Sequence, residues 1–523
     1  MKIEGIAKCK GIVVRLGAAI IFLWFIYTKY TSQYRNREDC HFAWNMFLLG
    51  AVAVLLITVG TYYLNCIKKT AIENVYLFLA LTLGILYICV LPPYTTPDEK
   101  THIDMAYQIA NELLMGKEEA DTGNPLTMYQ RQSDVEAVLK SEPDSQVYGE
   151  IYYNLLKKCP KEEMVETGTS GYSSPAYLHI TGILGIIIGQ KLHLSTYLMY
   201  QLGRGLSGLL FILLLYYAIK WIPFGKGTVI VLALLPTTLQ QANSFSYDAI
   251  IISMSILFIA KIMNLVYQKD WISWKDMVFL GVFGMLLSIP KGGSYLPLIC
   301  LVLLIPKEKI RWKYSARWYQ AGLMLSAFIS FFITNAYSLI RVKNEMKQGI
   351  QIEWSKGAPG YTLTDLFQQP FEILKVMLNS FWVKGGEWME SLIGGELGWF
   401  EIEIGRDLLL LFTVVILFSL FRTKENEKKY NFTFKTYLPC LVVFLLSMGI
   451  FMVIMLVQNT PLDESIVLGI QGRYFTPVIL LTVLTLPFQN VFLQKDNTRG
   501  IVEAMWVLQV LTISRIFLFI MIR

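Results

Sequence analysis

Two adjacent acids and a histidine stand in LPPYTTPDEKTHIDMAYQIANELL, residues 91–114: Asp98, Glu99 and His102. A carboxylate at that place could act as a general base on a hydroxyl. A purely architectural role is also open. Thr96 suits a helix cap, Pro97 the first helical position and Glu99 the third position of a capping box. Asp98 suits the positive end of the helix. Capping accounts for Thr96, Pro97 and Glu99 but does not require His102, one turn after Asp98.

Three further stretches place charge at the ends of apolar runs. In LLPTTLQQANSFSYDAIIISMS (234–255), Asp248 follows Gln240, Gln241, Asn243 and Ser246. It reads as a helix cap or as a site acid at the mouth of a span. In LSIPKGGSYLPL (287–298), Lys291 is followed by two glycines and Tyr295. It reads as a snorkelling lysine in a turn or as a cation for a phosphate. In GIQGRYFTPVILL (469–481), Arg473 and Tyr474 are interface anchors or a two-pronged phosphate grip. Arg204, in YQLGRGLSGLL, lies inside an apolar span, where an arginine is costly unless paired or able to reach water.

The elements that must position these groups are membrane spans. Of 523 residues, 54% are hydrophobic and 16% charged, with a net charge of +7. An average soluble protein has about 25% charged residues, and many apolar runs here approach the ~20 residues that cross a bilayer. Only helices fit, because a span must satisfy its own backbone. The reading is an all-α polytopic membrane protein of about 13 transmembrane helices with amphipathic helices in its outer loops. Eight strong spans are expected at 11–30, 44–66, 74–92, 197–219, 246–268, 319–340, 436–457 and 501–521. Weaker ones fall at 227–245, 276–290, 293–306, 407–422 and 472–490. Segment 175–190 is too short to cross and reads as a half-helix or an interfacial helix on the outer side. The first span reads as retained, not as a removed signal peptide.

Basic loops set the orientation. PKEKIRWKYSARW (306–318) has five basic residues against one acid, and FRTKENEKKYNFTFK (421–435) five against two. With these inside, Asp98, Asp248, Lys291 and Arg473 share the outer face. Two large outer loops follow, 93–176 and 341–406. The first holds fifteen acids and seven basic residues, and its helical periodicity predicts an ordered loop. Trp388 and Trp399 in the second could stack on a sugar or anchor at the interface. Seven scattered cysteines show no metal spacing; Cys40 and Cys159, if on one side, could form a disulfide. No basic, aromatic-interleaved stripe suggests nucleic acid.

PPYTTPDEKTH, QQANSFSYDA, IPKGGSYLPL and QGRYFTP, in that order, resemble a large group of bacterial multi-pass proteins known as a domain of unknown function. That group resembles the GT-C superfamily of membrane glycosyltransferases. The likeness covers residues 74–490, with 1–73 as a two-helix addition and 491–523 as a C-terminal loop and last helix. It implies a GT-C-like bundle, an acidic motif in the first outer loop (Asp98, Glu99) and a second acid at Asp248. It implies transfer of a sugar from a polyprenyl-phosphate lipid to an acceptor outside the cytoplasm. The chain lacks the large soluble C-terminal domain of oligosaccharyl transferases.

The residues suit that chemistry. Asp98 is the first choice of base, Glu99 could orient the acceptor, cap its helix or take that role, and His102 could position Asp98 or touch the phosphate. Lys291 and Arg473 would hold the phosphate, with Tyr295, Tyr474 and Arg204 around it. Asp248 could bind sugar hydroxyls or a metal. No cofactor is required, although a divalent cation such as Mg would fit two acids and a phosphate. The partners are the polyprenyl-phosphate sugar, a glycan or cell-wall polymer acceptor and membrane lipids. The location is the bacterial cytoplasmic membrane, with the site on its extracytoplasmic face. The alternatives are a lipid or solute transporter or flippase of the envelope, and a scaffold that docks through its acidic loop.

Overall fold

The computed structural model describes residues 2–34, 44–124, 126–159, 163–169, 174–312, 314–348, 351–352, 355, 357–423, 427, 430, 434–485, 492–493 and 495–523. Cys40 lies outside them. Cys159 is a free, buried thiol.

Helices dominate, as the apolar runs require. In chain order they include α1 (Lys2–Tyr34), α2 (Trp44–Tyr62), α3 (Ile72–Val90), α4 (Glu99–Met115), α5 (Ile180–Lys191), α6 (Thr196–Trp221), α7 (Lys226–Ala233), α8 (Pro236–Ala242) and α9 (Asp248–Tyr267). There follow α10 (Trp274–Leu287), α11 (Ala316–Gln348), α12 (Pro370–Ile393), α13 (Arg406–Ser419), α14 (Phe434–Asn459), α15 (Thr476–Thr485) and α16 (Thr498–Ile522). The strands are two-residue to five-residue pieces. β1 (Thr127–Arg131) pairs antiparallel with β2 (Met164–Gly168), and β3 (Glu396–Leu397) pairs with β4 (Ile402–Glu403). The chain is an all-α polytopic membrane protein.

Among the described residues, seven helices are long and apolar enough to cross a bilayer; they lie in α1, α2, α3, α6, α9, α14 and α16. Most of the other expected crossings are built differently. At about 1.5 Å per residue, the 14 residues of α10 or of α13 reach about 21 Å, short of a bilayer core of about 30 Å. Segment 227–245 is two short helices, α7 and α8, divided before Pro236. Segment 293–306 is a nine-residue 3-10 helix, Leu296–Leu304, entered through Pro297. Segment 472–490 opens with the turn Gly472–Tyr474 and continues as the ten-residue α15. Segment 319–340 lies within the long α11.

The axis of the bundle is α9. Its span is 94% buried, which explains why it is apolar all round instead of striped. Helices α3, α6, α10 and α15 pack on or near it. The described residues of segment 93–176 fold into helices and one antiparallel strand pair, in keeping with its periodicity. Arg131 grips Asp134 with two nitrogens at 2.8 Å each, and Asp134 also accepts from Tyr107 and Thr196. This buried knot ties β1 to α4 and to the start of α6.

The half-helix expected at 175–190 is the 12-residue α5. It crosses α6 at a pair of glycines: a Cβ on Gly185 would lie 2.4 Å from the Gly203 Cα, and one on Gly203 would lie 2.5 Å from the Phe245 ring. The close crossing lets Phe245 reach α4. Gly185→Val should therefore cost about 1–3 kcal/mol through overpacking, read as a lower midpoint in detergent unfolding. An unchanged midpoint would mean that the two helices part without cost.

Candidate functional site

The four charged groups marked by the sequence meet in space. Asp98 precedes α4, Asp248 opens α9, Lys291 sits just after α10, and Arg473 lies in the turn before α15. Asp248 is the hub. Its carboxylate lies 2.9 Å from Lys291 Nζ and 3.3 Å from Arg473 Nε. Arg473 Nη2 donates to Asp98 Oδ2 at 3.0 Å across a sequence separation of 375 residues. Asp248, Lys291 and Arg473 are largely buried, whereas the Asp98 side chain is 52% exposed.

Local backbone geometry aims these groups. Asp98 has φ 62° and ψ 7°, the left-handed conformation, which Asp tolerates better than most residues. Helix α4 therefore starts at Glu99, two residues later than a Thr96 cap predicts. The Thr96 hydroxyl is buried without a hydrogen-bond partner among the described residues. Lys291, Gly292 and Gly293 form a left-handed run with φ 50°, 60° and 82°. That run reverses the chain after Pro290 and turns the lysine inward, so it does not snorkel. Burial pulls the Lys291 ammonium down, but the Asp248 carboxylate together with Tyr474 and Tyr295 outweighs it and leaves the group raised to about 12. At neutral pH the lysine is a fixed cation.

Tyrosines line the cations. Lys291 Nζ stands 4.4 Å from the centre of the Tyr474 ring and 4.7 Å from that of Tyr247, within the range of a cation–π attraction. The Tyr474 hydroxyl accepts from Arg473 at 3.2 Å, so this residue is a wall of the cluster and not an interface anchor. Tyr295 is buried and donates to the Tyr474 carbonyl at 3.0 Å. It positions the Arg473 turn from behind, with its own hydroxyl committed.

Glu99 and Arg204 form a separate pair. Glu99 is fully buried, 3.4 Å from Arg204 Nε. It also accepts from the Phe245 amide at 3.1 Å and the Thr96 amide at 3.3 Å, the second being half of the expected capping box. Arg204 also donates to the Asn243 and Leu91 carbonyls at 2.8 and 2.7 Å. Of the two fates weighed for Arg204, pairing is the one observed. Burial pushes the Glu99 carboxyl up, with the Arg204 guanidinium opposing. These contacts lock α4, α6 and the 243–247 turn together, and they commit Glu99 and Arg204 to each other and to backbone groups. With its oxygens committed and buried, Glu99 holds the start of α4 against α6 and the 243–247 turn.

The His102 ring lies 4.7 Å from Tyr247 and 5.5 Å from His179, and Tyr247 in turn faces Lys291. Sequence reasoning passed over Tyr247, which stands in a quoted stretch next to Asp248, and His179, which lies in the 175–190 segment. Trp388 is buried edge-on against Phe381 and Phe475, which removes it as a sugar platform. Trp399 is exposed and donates from its indole to the Tyr94 carbonyl at 3.1 Å, which brings the 394–405 hairpin loop to the Asp98 segment.

Both histidines are buried outside the spans. Burial holds His102 well below the usual imidazole range, with His179 adding to the effect, and burial lowers His179 from 6.5 to about 4. Between those two values the unfolded chain binds the proton and the folded chain does not. Stability should thus be full above 6.5 and fall as pH falls toward 4, by about 1.4 kcal/mol per pH unit from His179. His179→Gln should flatten the acid side of a plot of melting temperature against pH. An unchanged slope would show that His179 takes a proton as readily folded as unfolded.

No group of three or more His, Cys, Asp or Glu side chains able to hold a metal occurs among the described residues. Chemically, the cluster offers a solvent-facing carboxylate beside two cations at the ends of membrane helices. The fold and this cluster define the class: a polytopic all-α membrane protein with a buried charge cluster at its helix ends. The family model described as predicted membrane protein (DUF2142) matches residues 81–482, and the chain belongs to that family. Asp98, Asp248, Lys291 and Arg473 all lie inside the match; α1, α2 and the whole of α16 lie outside it. No curated protein and no solved structure matches the chain.

Proposed function

We propose that the chain is a membrane glycosyltransferase that moves a sugar from a polyprenyl-phosphate donor to a glycan or cell-envelope polymer on the extracytoplasmic side of a bacterial cytoplasmic membrane. The observation that carries this reading is the meeting of Asp98, Asp248, Lys291 and Arg473 from four distant segments. Asp98 is the base because it alone of the three acids is open to solvent, the side chains of Glu99 and Asp248 being 0% and 7% exposed. It takes the proton of the acceptor hydroxyl. That oxygen attacks the anomeric carbon, the bond to the phosphate oxygen breaks, and the polyprenyl phosphate leaves. Lys291 and Arg473 hold its charge by charge-assisted hydrogen bonds. A single displacement inverts the anomeric centre. No metal is needed for a monophosphate leaving group held by two cations.

The test supplies purified protein with a panel of polyprenyl-phosphate sugars. The expected result is release of polyprenyl phosphate, by transfer or slow hydrolysis. A flippase would instead move the lipid between leaflets of a vesicle with its sugar bond intact. A scaffold would do neither.

A further inference from the structure

Behind Arg473 lies a crevice of about 20 Å³, lined in part by Pro97, Gln240, Gln241, Glu396, Gln471 and Arg473. Three of its polar side chains are committed to backbone. Gln240 holds both the amide and the carbonyl of Gly398 at 3.1 Å each. The Thr237 hydroxyl donates to the Ser391 carbonyl, and the Ser391 hydroxyl accepts from the Gly472 amide. The exceptions stand out. Gln241 is 1% exposed, and its Oε1 has no hydrogen-bond partner among the described residues; the same holds for Gln471 Oε1. Arg473 is 5% exposed, and its Nη1 makes no hydrogen bond, while Nε faces Asp248 at 3.3 Å without hydrogen-bond alignment. Buried polar atoms are almost always paired. Residues that carry these unpaired atoms line a void large enough for one more polar atom, since roughly 10–15 Å³ suffices to seat a water-sized oxygen.

The chemistry of the set selects that atom. A phosphate oxygen could accept from Arg473 but would face two amide oxygens and the Glu396 carboxylate. An ammonium or metal ion could satisfy the oxygens but would face the guanidinium. A hydroxyl does both: it accepts from Arg473 and donates to an amide oxygen. We infer that this crevice is a hydroxyl subsite that seats one ring hydroxyl of the transferred sugar. Arg473 then links the subsite to Asp98 on its other edge, so sugar recognition and the base share one side chain. This inference rests on the glycosyltransferase reading and adds the group by which that site selects its sugar.

The experiment measures binding to the full chain in nanodiscs. The probes are polyprenyl phosphate and its glucose, galactose and N-acetylglucosamine conjugates. Monodeoxy analogues of the tightest conjugate, each lacking one ring hydroxyl, complete the set. Wild type is expected to bind one conjugate more tightly than bare polyprenyl phosphate and to lose about tenfold with one deoxy analogue, the worth of a hydrogen bond to a charged group. Gln471→Ala, and independently Gln241→Leu, should erase the difference between that analogue and its parent, with binding of bare polyprenyl phosphate unchanged. If no conjugate outbinds bare polyprenyl phosphate, or if the tenfold gap survives both substitutions, the subsite is overturned while the phosphate grip stands. If not even bare polyprenyl phosphate binds, the glycosyltransferase reading itself fails and takes the subsite with it.

Discussion

Asp248→Asn is expected to cost about 3–5 kcal/mol of folding stability, the usual penalty for breaking a buried ion pair from one side. The argument is one of charge counting. Lys291 and Arg473 have side chains only 12% and 5% exposed, and both lean on the Asp248 carboxylate. An asparagine keeps the shape and removes the charge. Two cations then remain in a buried space with only the half-exposed Asp98 to offset them. Lys291 feels this most, because Asp248 is the main influence holding its ammonium above the ordinary value against burial. Without it, burial prevails and the lysine is driven toward neutrality. The check is reversible unfolding in mixed detergent, or a melting profile in nanodiscs. The double variant Asp248→Asn with Lys291→Met should recover part of the loss, because it no longer buries an unpaired lysine, and the cycle should give a coupling of about 1–3 kcal/mol. A single variant as stable as wild type would show that the hub carries no charge pairing.

How legible this centre is in the sequence depends on the scale considered. Composition reveals the membrane class, and each site cation announces itself by interrupting an apolar run. Lys291 is conspicuous because Pro290 and two glycines surround it, and those same residues produce the left-handed run that turns it inward. Hydropathy does not reveal where a greasy segment stops being one helix. Segments 227–245 and 293–306 are apolar enough to cross, yet Pro236 divides the first and the second winds as a 3-10 helix. A sliding window averages over such breaks. Pairing is the second hidden layer. Glu99 and Asp98 are neighbours in sequence, Asp98 being the first choice of base and Glu99 the alternative, and it is the fold that gives them different partners. Helix α6 brings Arg204 to Glu99 and leaves Asp98 to Arg473. The Thr96 cap fails for a related reason. Glu99 bonds the Phe245 amide, and that tertiary contact, invisible to local capping rules, sets where the helix begins.

Asp98→Asn and Asp98→Gly together separate chemistry from architecture, and both should lower sugar transfer by about 10²–10⁴-fold, the range for loss of a general base. Neither should harm the fold. Asn occupies the left-handed region nearly as readily as Asp, and the pair it weakens involves a carboxylate that is 52% exposed, where solvent screening keeps the contribution within about 0–1 kcal/mol. Gly is the sharper probe. At φ 62° a side-chain-bearing residue pays roughly 1–2 kcal/mol that glycine does not, against about 0.5–1 kcal/mol of extra chain entropy lost by glycine on folding. The glycine variant should melt within a few degrees of wild type and still bind polyprenyl-phosphate sugar, because Lys291 and Arg473 are untouched, while turnover disappears. If Asp98→Gly turns over like wild type, the base lies elsewhere, and the left-handed aspartate is no more than the hinge that starts α4. If it instead loses donor binding in step with turnover, Asp98 acts by holding Arg473 in place. The ratio of the two losses therefore distinguishes the proton acceptor from the positioning group.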